Sequence, residues 1–195
     1  MSPMDPDIET LDDDALMVLF ANADPSAAKL LTTRLLPRAL GHALRVLGNE
    51  AEAEDVAQEA MLKLWNAAKD WDQSGAARPS TWLYRVVANL CVDRLRKSGR
   101  SVGMDPDFDP ADDAPGPLEA LEHSGRLAAL DGALAKLPER QRQAVVLRHI
   151  EGLSNPEIAL ALDIGVEAVE SLTARGKRAL AAALQGQKEA LGYGG

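Results

Sequence analysis

The segment SVGMDPDFDPADDAPGP, residues 101–117, sets the strongest limit on what this chain can fold into. Its four prolines remove backbone donors, its two glycines raise the entropy lost on ordering, and its five aspartates repel one another. Such a stretch cannot bury enough apolar surface to order itself as a compact unit. We therefore expect a linker over 101–120, dividing a first domain over 15–100 from a second over 121–187. A long surface loop inside one domain is the other reading. On either reading, a 195-residue chain with 46% apolar residues builds one sizeable core or two small ones.

Charge follows the same division. The net charge of −9 has the wrong sign for a nucleic-acid binder. Residues 1–14, however, hold six acids (Asp5, Asp7, Glu9, Asp12, Asp13, Asp14) and no base. Residues 101–122 hold seven (Asp105, Asp107, Asp109, Asp112, Asp113, Glu119, Glu122), again without a base. Setting those thirteen aside leaves 17 acids against all 21 lysines and arginines, so the remainder is about +4. The acidity belongs to an N-terminal tail, 1–14, and to the linker, while 188–195 reads as a short C-terminal tail.

Several function classes drop out. No run approaches the roughly 18 apolar residues of a membrane span, and the N-terminus is acidic where a signal peptide is basic and then apolar. A soluble, cytoplasmic protein with no membrane insertion is expected. The single cysteine, Cys91, lies between Leu90 and Val92 as a buried thiol and permits neither an internal disulfide nor a cysteine-cluster metal site. His42, His123 and His149 share no ligand spacing, so no metal is expected. No Ser/His/Asp set and no phosphate-cradling glycine loop appears, which argues against an enzyme and against a cofactor.

Apolar residues recur at threes and fours on both sides of the linker and nowhere alternate as in a strand, so the expected fold is all-α, two small helical domains. Helices are expected over 24–47, 50–69 and 80–98, then 119–135, 138–151, 155–162 and 166–184. Asn49 and Glu52 mark the start of the second, and Ser80 after Pro79 is the expected N-cap of the third. Between them DWDQSGAARPS is a loop. Pro138 fits a first turn, Gly152 ends a helix, and Ser154 with Glu157 forms a capping box.

The helices at 155–162 and 166–184, joined by DIG, have the layout of a helix-turn-helix, with Ile158, Ala159 and Leu162 facing Val166, Val169 and Leu172. The polar face of the second carries Glu167, Glu170, Ser171, Thr173, Ala174, Arg175, Lys177 and Arg178. Arginine can pair with guanine edges, lysine with phosphates, and small residues let the backbone approach the groove. An ordinary helical hairpin with a solvated basic end is the alternative.

Along STWLYRVVANLCVDRLRK, Arg85, Asn89 and Asp93 fall four apart and Arg96 and Lys97 continue the row, beside an apolar stripe of Trp82, Val86 and Leu90. Asp93 is placed to pair with Arg85, Arg96 or Lys97 across helical turns. Four of the seven aromatics, Trp65, Trp71, Trp82 and Tyr84, cluster around the preceding loop. Stacking an unpaired base on such a ring is worth roughly 1–3 kcal/mol, although core packing competes for the same rings. In EAEAEDVAQEAMLKLWNAA, Val56, Ala60, Met61 and Leu64 form an apolar stripe and Glu52, Asp55, Gln58 and Glu59 an acidic face. That face repels phosphate and suits a basic protein surface.

Three segments in this order resemble the sigma-70 family of RNA polymerase sigma factors, in particular its extracytoplasmic-function group. AEDVAQEAMLKLW is similar to the core-polymerase-binding part of region 2, STWLYRVVANLCVDRLRK to its promoter-melting and −10-reading part, and LPERQRQAVVLRHIEGLSNPEIALALDIGVEAVESLTARGKRAL to region 4. The resemblance implies a non-catalytic initiation factor. Asp55, Gln58, Glu59 and Leu62 would meet the clamp of the two largest core polymerase subunits. Trp71, Asp72, Ser74 and Ser80 would hold an extruded −10 base, while Asn89, Asp93, Arg94, Arg96 and Lys97 contact that promoter DNA. Ser171, Thr173, Ala174, Arg175, Lys177 and Arg178 would read the −35 element. It also implies an anti-sigma factor as partner and a linker threaded toward the polymerase cleft. Two positions depart from the pattern. Glu170 stands where the family often has a base, and Gly176 interrupts the recognition helix at about 1 kcal/mol relative to alanine. A stand-alone helix-turn-helix regulator is the rival reading, and it leaves the first hundred residues without a purpose.

Overall fold

Carboxylates begin the first two helices of the computed structural model, which describes residues 8–71, 77–99 and 118–190. Asp12 Oδ1 accepts from the Ala15 N–H at 2.8 Å to cap α1 (Asp13–Ala21). Asp24 Oδ1 accepts from Ser26 at 2.8 Å and Ala27 at 3.3 Å to cap α2 (Pro25–Leu47). Negative charge there also complements the helix dipole. α2 stops at Gly48, whose φ of 66° strains any residue with a β-carbon, and Asn49 at once caps α3 (Glu50–Ala67) by accepting from Glu52 at 2.9 Å. This two-residue corner turns α3 back along α2.

α4 (Pro79–Lys97) opens one residue earlier than expected. Arg78 is its N-cap without a side-chain bond, and Pro79 fills the first position, where its missing N–H is no loss. Ser80 is therefore inside the first turn and caps nothing. Leu16, Met17, Leu31, Leu35, Val46, Val56, Leu64, Leu83 and Val87 from α1 to α4 are fully buried or nearly so and form one core. Each such side chain contributes about 1.5–3 kcal/mol. Helix α1 was not among the expected helices, and the acidic stretch joins the core at its end. Ile8 is buried, and Arg34 donates to the carbonyls of Leu11 (2.7 Å) and Glu9 (2.6 Å) while pairing with Asp13 (3.2 Å).

Beyond the linker come α5 (Leu118–Ala135), α6 (Glu139–Val145), a π-helical turn over Val146–Ile150, α7 (Asn155–Leu162) and α8 (Val166–Ala190). The expected helix over 138–151 thus widens at Val146. The capping box is formed: Ser154 Oγ accepts from the Glu157 N–H at 3.4 Å, and the Glu157 carboxylate accepts from the Ser154 N–H at 2.8 Å. In the turn between α7 and α8 the left-handed residue is Asp163, φ 53°, which tolerates that region, and not the glycine at 165. No strand occurs among the described residues.

The two halves abut through α4. Tyr84 leaves the first core and packs with Leu147, Leu153, Ile158 and Val169 of the second half. Its hydroxyl donates to Glu151, which lies 4.0 Å from Arg45 on α2. Arg142 on α6 donates to the Val46 carbonyl at 2.5 Å and to the Ala135 carbonyl at 2.7 Å. The linker segment 101–117, the tail residues 1–7 and 191–195, and the loop positions Asp72 and Ser74 lie outside the described residues.

Candidate nucleic-acid interface

Helix α4 is covered on most of its circumference. Leu83, Val87, Cys91 and Leu95 are buried in the first core, with Trp82, Val86 and Leu90 partly buried against it, and Tyr84 fills the second cluster. One strip remains in solvent: Arg85, Asn89, Asp93, Arg96 and Lys97 are all exposed. The periodic row predicted from the sequence is thus the open face. Asn89, Asp93 and Arg96 form one wall of a cleft whose other side is Glu139, Arg140 and Gln143 of α6 with Leu162, Ile164 and Leu172 of the helix-turn-helix. Burial pushes the Glu139 carboxyl above the usual range, against the pull of Arg140, Arg142 and Arg96.

The structure separates the other −10 candidates from that row. Trp71 is partly buried, its ring edge-on to Trp82 with centroids 6.2 Å apart, and its indole N–H donates to Asp14 of α1 at 3.3 Å. Ser80 is partly buried in the first turn of α4. Arg94 points away from the row and toward α3, with Nη1 3.5 Å from Asp55 and Nη2 3.8 Å from Glu59. The ion pairs anticipated for Asp93 are replaced by these.

On α3, Asp55, Gln58 and Leu62 are exposed and Glu59 is half-buried, all on the face opposite Val56, Ala60 and Leu64. Leu62 is 55% exposed, an apolar group left open in an acidic surround. Lys63 pairs with Glu59 at 3.5 Å. α8 presents Ala174, Arg175, Lys177 and Arg178 to solvent, and Ser171 is half-buried as the acceptor of a hydrogen bond from Arg175 Nε at 3.1 Å. Thr173 differs from expectation, because its hydroxyl is buried without a partner. Gly176 is also explained. A β-carbon there would lie 2.6 Å from Val145 Cγ2 and 3.1 Å from the Gln141 carbonyl oxygen, so the glycine lets α8 touch α6.

Sequence reasoning missed Asp14 at Trp71, Arg94's partners, and the Tyr84–Glu151–Arg45 contacts, since pairing between helices distant in sequence leaves no periodic trace. No group of three His, Cys, Asp or Glu side chains among the described residues is placed to hold a metal ion, and no helix there is long and apolar enough to cross a membrane.

The fold and its open faces define an all-helical, two-part DNA-binding protein: a helix-turn-helix and, bordering it, a polar helical strip beside an acidic helix. Residues 31–101 match Sigma-70 region 2 and residues 127–180 match Sigma-70, region 4. RNA polymerase sigma factor NccH of Alcaligenes xylosoxydans xylosoxydans is 33% identical over 179 residues, 89% of this chain and 95% of that one. ECF RNA polymerase sigma factor SigE of Mycolicibacterium smegmatis is 38% identical over 146 residues, 71% of this chain but 54% of that longer protein. Among solved structures, CnrH in complex with the cytosolic domain of CnrY superposes with a TM-score of 0.65 at 29% identity, covering 89% of this chain and 97% of CnrH. The chain belongs to the sigma-70 family of RNA polymerase sigma factors, in its extracytoplasmic-function group. The region 2 match falls on the first hundred residues, which a stand-alone helix-turn-helix regulator leaves unexplained, so that alternative is not favoured.

Proposed function

We propose that this sigma factor divides its work among three helices. The α3 face of Asp55, Gln58, Glu59 and Leu62 docks on the clamp of core polymerase, where carboxylates meet a basic surface around one apolar anchor. The α4 strip of Asn89, Asp93, Arg96 and Lys97 follows the −10 element, with the loop that includes Asp72 and Ser74 holding an extruded base beside Trp71 and Ser80. Arg175, Lys177 and Arg178 of α8, with Ser171 and Ala174, enter the −35 major groove, and Thr173 supports the helix from within. Catalysis stays with the polymerase.

The observation that carries this reading is the strip itself. A helix packed on its other sides, which leaves only amide, carboxylate and basic groups in water, is built to present them to a polar polymer. An anti-sigma factor, which the family resemblance implies, is the proposed regulator, and CnrH, of similar fold, was captured with another protein, the cytosolic domain of CnrY. The test is reconstitution. The purified chain should form a stable complex with core polymerase and direct it to defined start sites, and Asp55→Asn with Glu59→Gln should weaken that complex at least tenfold. Failure of the wild-type chain to bind core polymerase would overturn the reading.

A further inference from the structure

Arg94 lies at the seam between the two surfaces just assigned. It follows Asp93 directly on α4 and shares a helical turn with Arg96 and Lys97, yet its guanidinium bridges Asp55 and Glu59, one turn apart on α3. Both separations, 3.5 and 3.8 Å, exceed the roughly 2.7–2.9 Å of a firm charge-assisted hydrogen bond. The carboxylate side chains are 67% and 42% exposed, against 29% for Arg94. A pair this open adds little net stability, so an outside cation can replace Arg94 with little loss.

We propose that Arg94 is an internal stand-in for the cation that core polymerase supplies. This rests on the reading of Asp55 and Glu59 as polymerase contacts. In the free protein Arg94 lies between the two carboxylates, sharing Glu59 with Lys63 at 3.5 Å, and is thereby kept from nucleic acid. When a basic polymerase surface takes Asp55 and Glu59, the guanidinium is released, and its long flexible stem carries it to the neighbouring α4 strip. There it adds one phosphate contact to those of Arg96 and Lys97. Arg94 is thus a coupling residue, and DNA binding by the first half strengthens only when the polymerase site is filled.

The test uses the full chain and a fluorescein-labelled 12-nucleotide single-stranded DNA, with anisotropy titrations at 50–200 mM NaCl. Asp55→Asn with Glu59→Gln frees Arg94 without polymerase. It should tighten binding several-fold and steepen the slope of log K against log[NaCl] by about 0.7, the value of one added phosphate contact on a single strand. Adding Arg94→Gln should return the slope to that of wild type, whereas adding Arg94→Lys should keep the gain. A gain that survives Arg94→Gln reflects only lost repulsion from the two acids and overturns the proposal, as does no gain at all. Core binding is measured on the same proteins. A wild-type chain that fails to bind core polymerase sinks the polymerase reading, and an Asp55→Asn/Glu59→Gln chain that binds core at full strength sinks the placement of the contact and this proposal with it. Core binding that depends on the two acids, with a salt slope indifferent to Arg94, sinks the proposal alone.

Discussion

His42 is the residue whose surroundings suit its chemistry least. It is fully buried, neither ring nitrogen has a hydrogen-bond partner, and its ring stands edge-on to Tyr84 with centroids 5.7 Å apart. Burial first, and the charge of Arg45 second, bring its pKa down to about 4. Because the folded value lies below the unfolded one of about 6.5, the unfolded chain takes up the extra proton between these two pH values. The stability tied to neutral His42 is therefore full above about pH 6.5 and lost as the pH falls toward 4, some 2 kcal/mol between pH 7 and 5. Urea denaturation across that range should show a falling midpoint for wild type and a flatter one for His42→Leu, which removes the unpaired nitrogens and is neutral or stabilising at pH 7. Parallel curves for the two proteins would refute the assignment. Asn89 is the opposite case, an exposed amide on the wall of the α4–α6 cleft. Asn89→Ala should change stability by no more than about 0.5 kcal/mol and leave core binding intact, yet slow promoter opening followed by a strand-separation fluorophore. Equal losses in core binding and opening would place Asn89 outside the DNA surface.

A helix shows in a sequence when its signals are local, and that separates what could be read here from what could not. α2, α3 and α4 and the helix-turn-helix were recognisable from apolar spacing and from Asn49, Gly152 and the Ser154–Glu157 box, each acting within one turn. α1 was hidden because Asp12, Asp13 and Asp14, a cap and a first turn in the structure, read as part of an acidic run. The open strip of α4 was readable from its four-residue period. Arg94's turn toward Asp55, Trp71's bond to Asp14 and the inward Thr173 hydroxyl were not, since each depends on which helix lies alongside. Gly176 shows the same limit most sharply, a weak point by propensity and a contact point by packing. Gly176→Ala gains about 1 kcal/mol of helix propensity, but its methyl must displace Val145 and crowd the Gln141 carbonyl, so a net loss of about 1–3 kcal/mol is expected. Thermal or urea denaturation decides the sign, and a stabilised variant would mean that α6 and α8 do not touch there.

At the scale of the whole molecule the packed arrangement and the promoter task conflict. The −10 and −35 elements are about 25 base pairs apart, on the order of 85 Å at 3.4 Å per base pair. A compact chain of this length has a radius of gyration of about 16 Å and is about 40 Å across. The proposed −10 and −35 faces therefore require the halves to part when both elements are bound, and a 17-residue segment such as 101–117 can span roughly 60 Å if extended. What has to break is specific: the Tyr84 hydroxyl from Glu151, the Tyr84 ring from Leu147 and Ile158, and Arg142 from the Val46 carbonyl. Cys91 makes the motion measurable, because its buried thiol, pushed up to about 12 by desolvation, will not compete for maleimide dyes. Cysteines introduced at the exposed positions Asn66 and Ala181 place one dye on each half. Energy transfer should be high in the free protein, lower in Tyr84→Phe/Glu151→Gln, whose hydroxyl-to-carboxylate bond is gone, and lowest in the promoter complex with polymerase. Transfer that stays as high on the promoter as in solution would mean that the packed form is the working one, and that one of the two DNA faces assigned here is wrong.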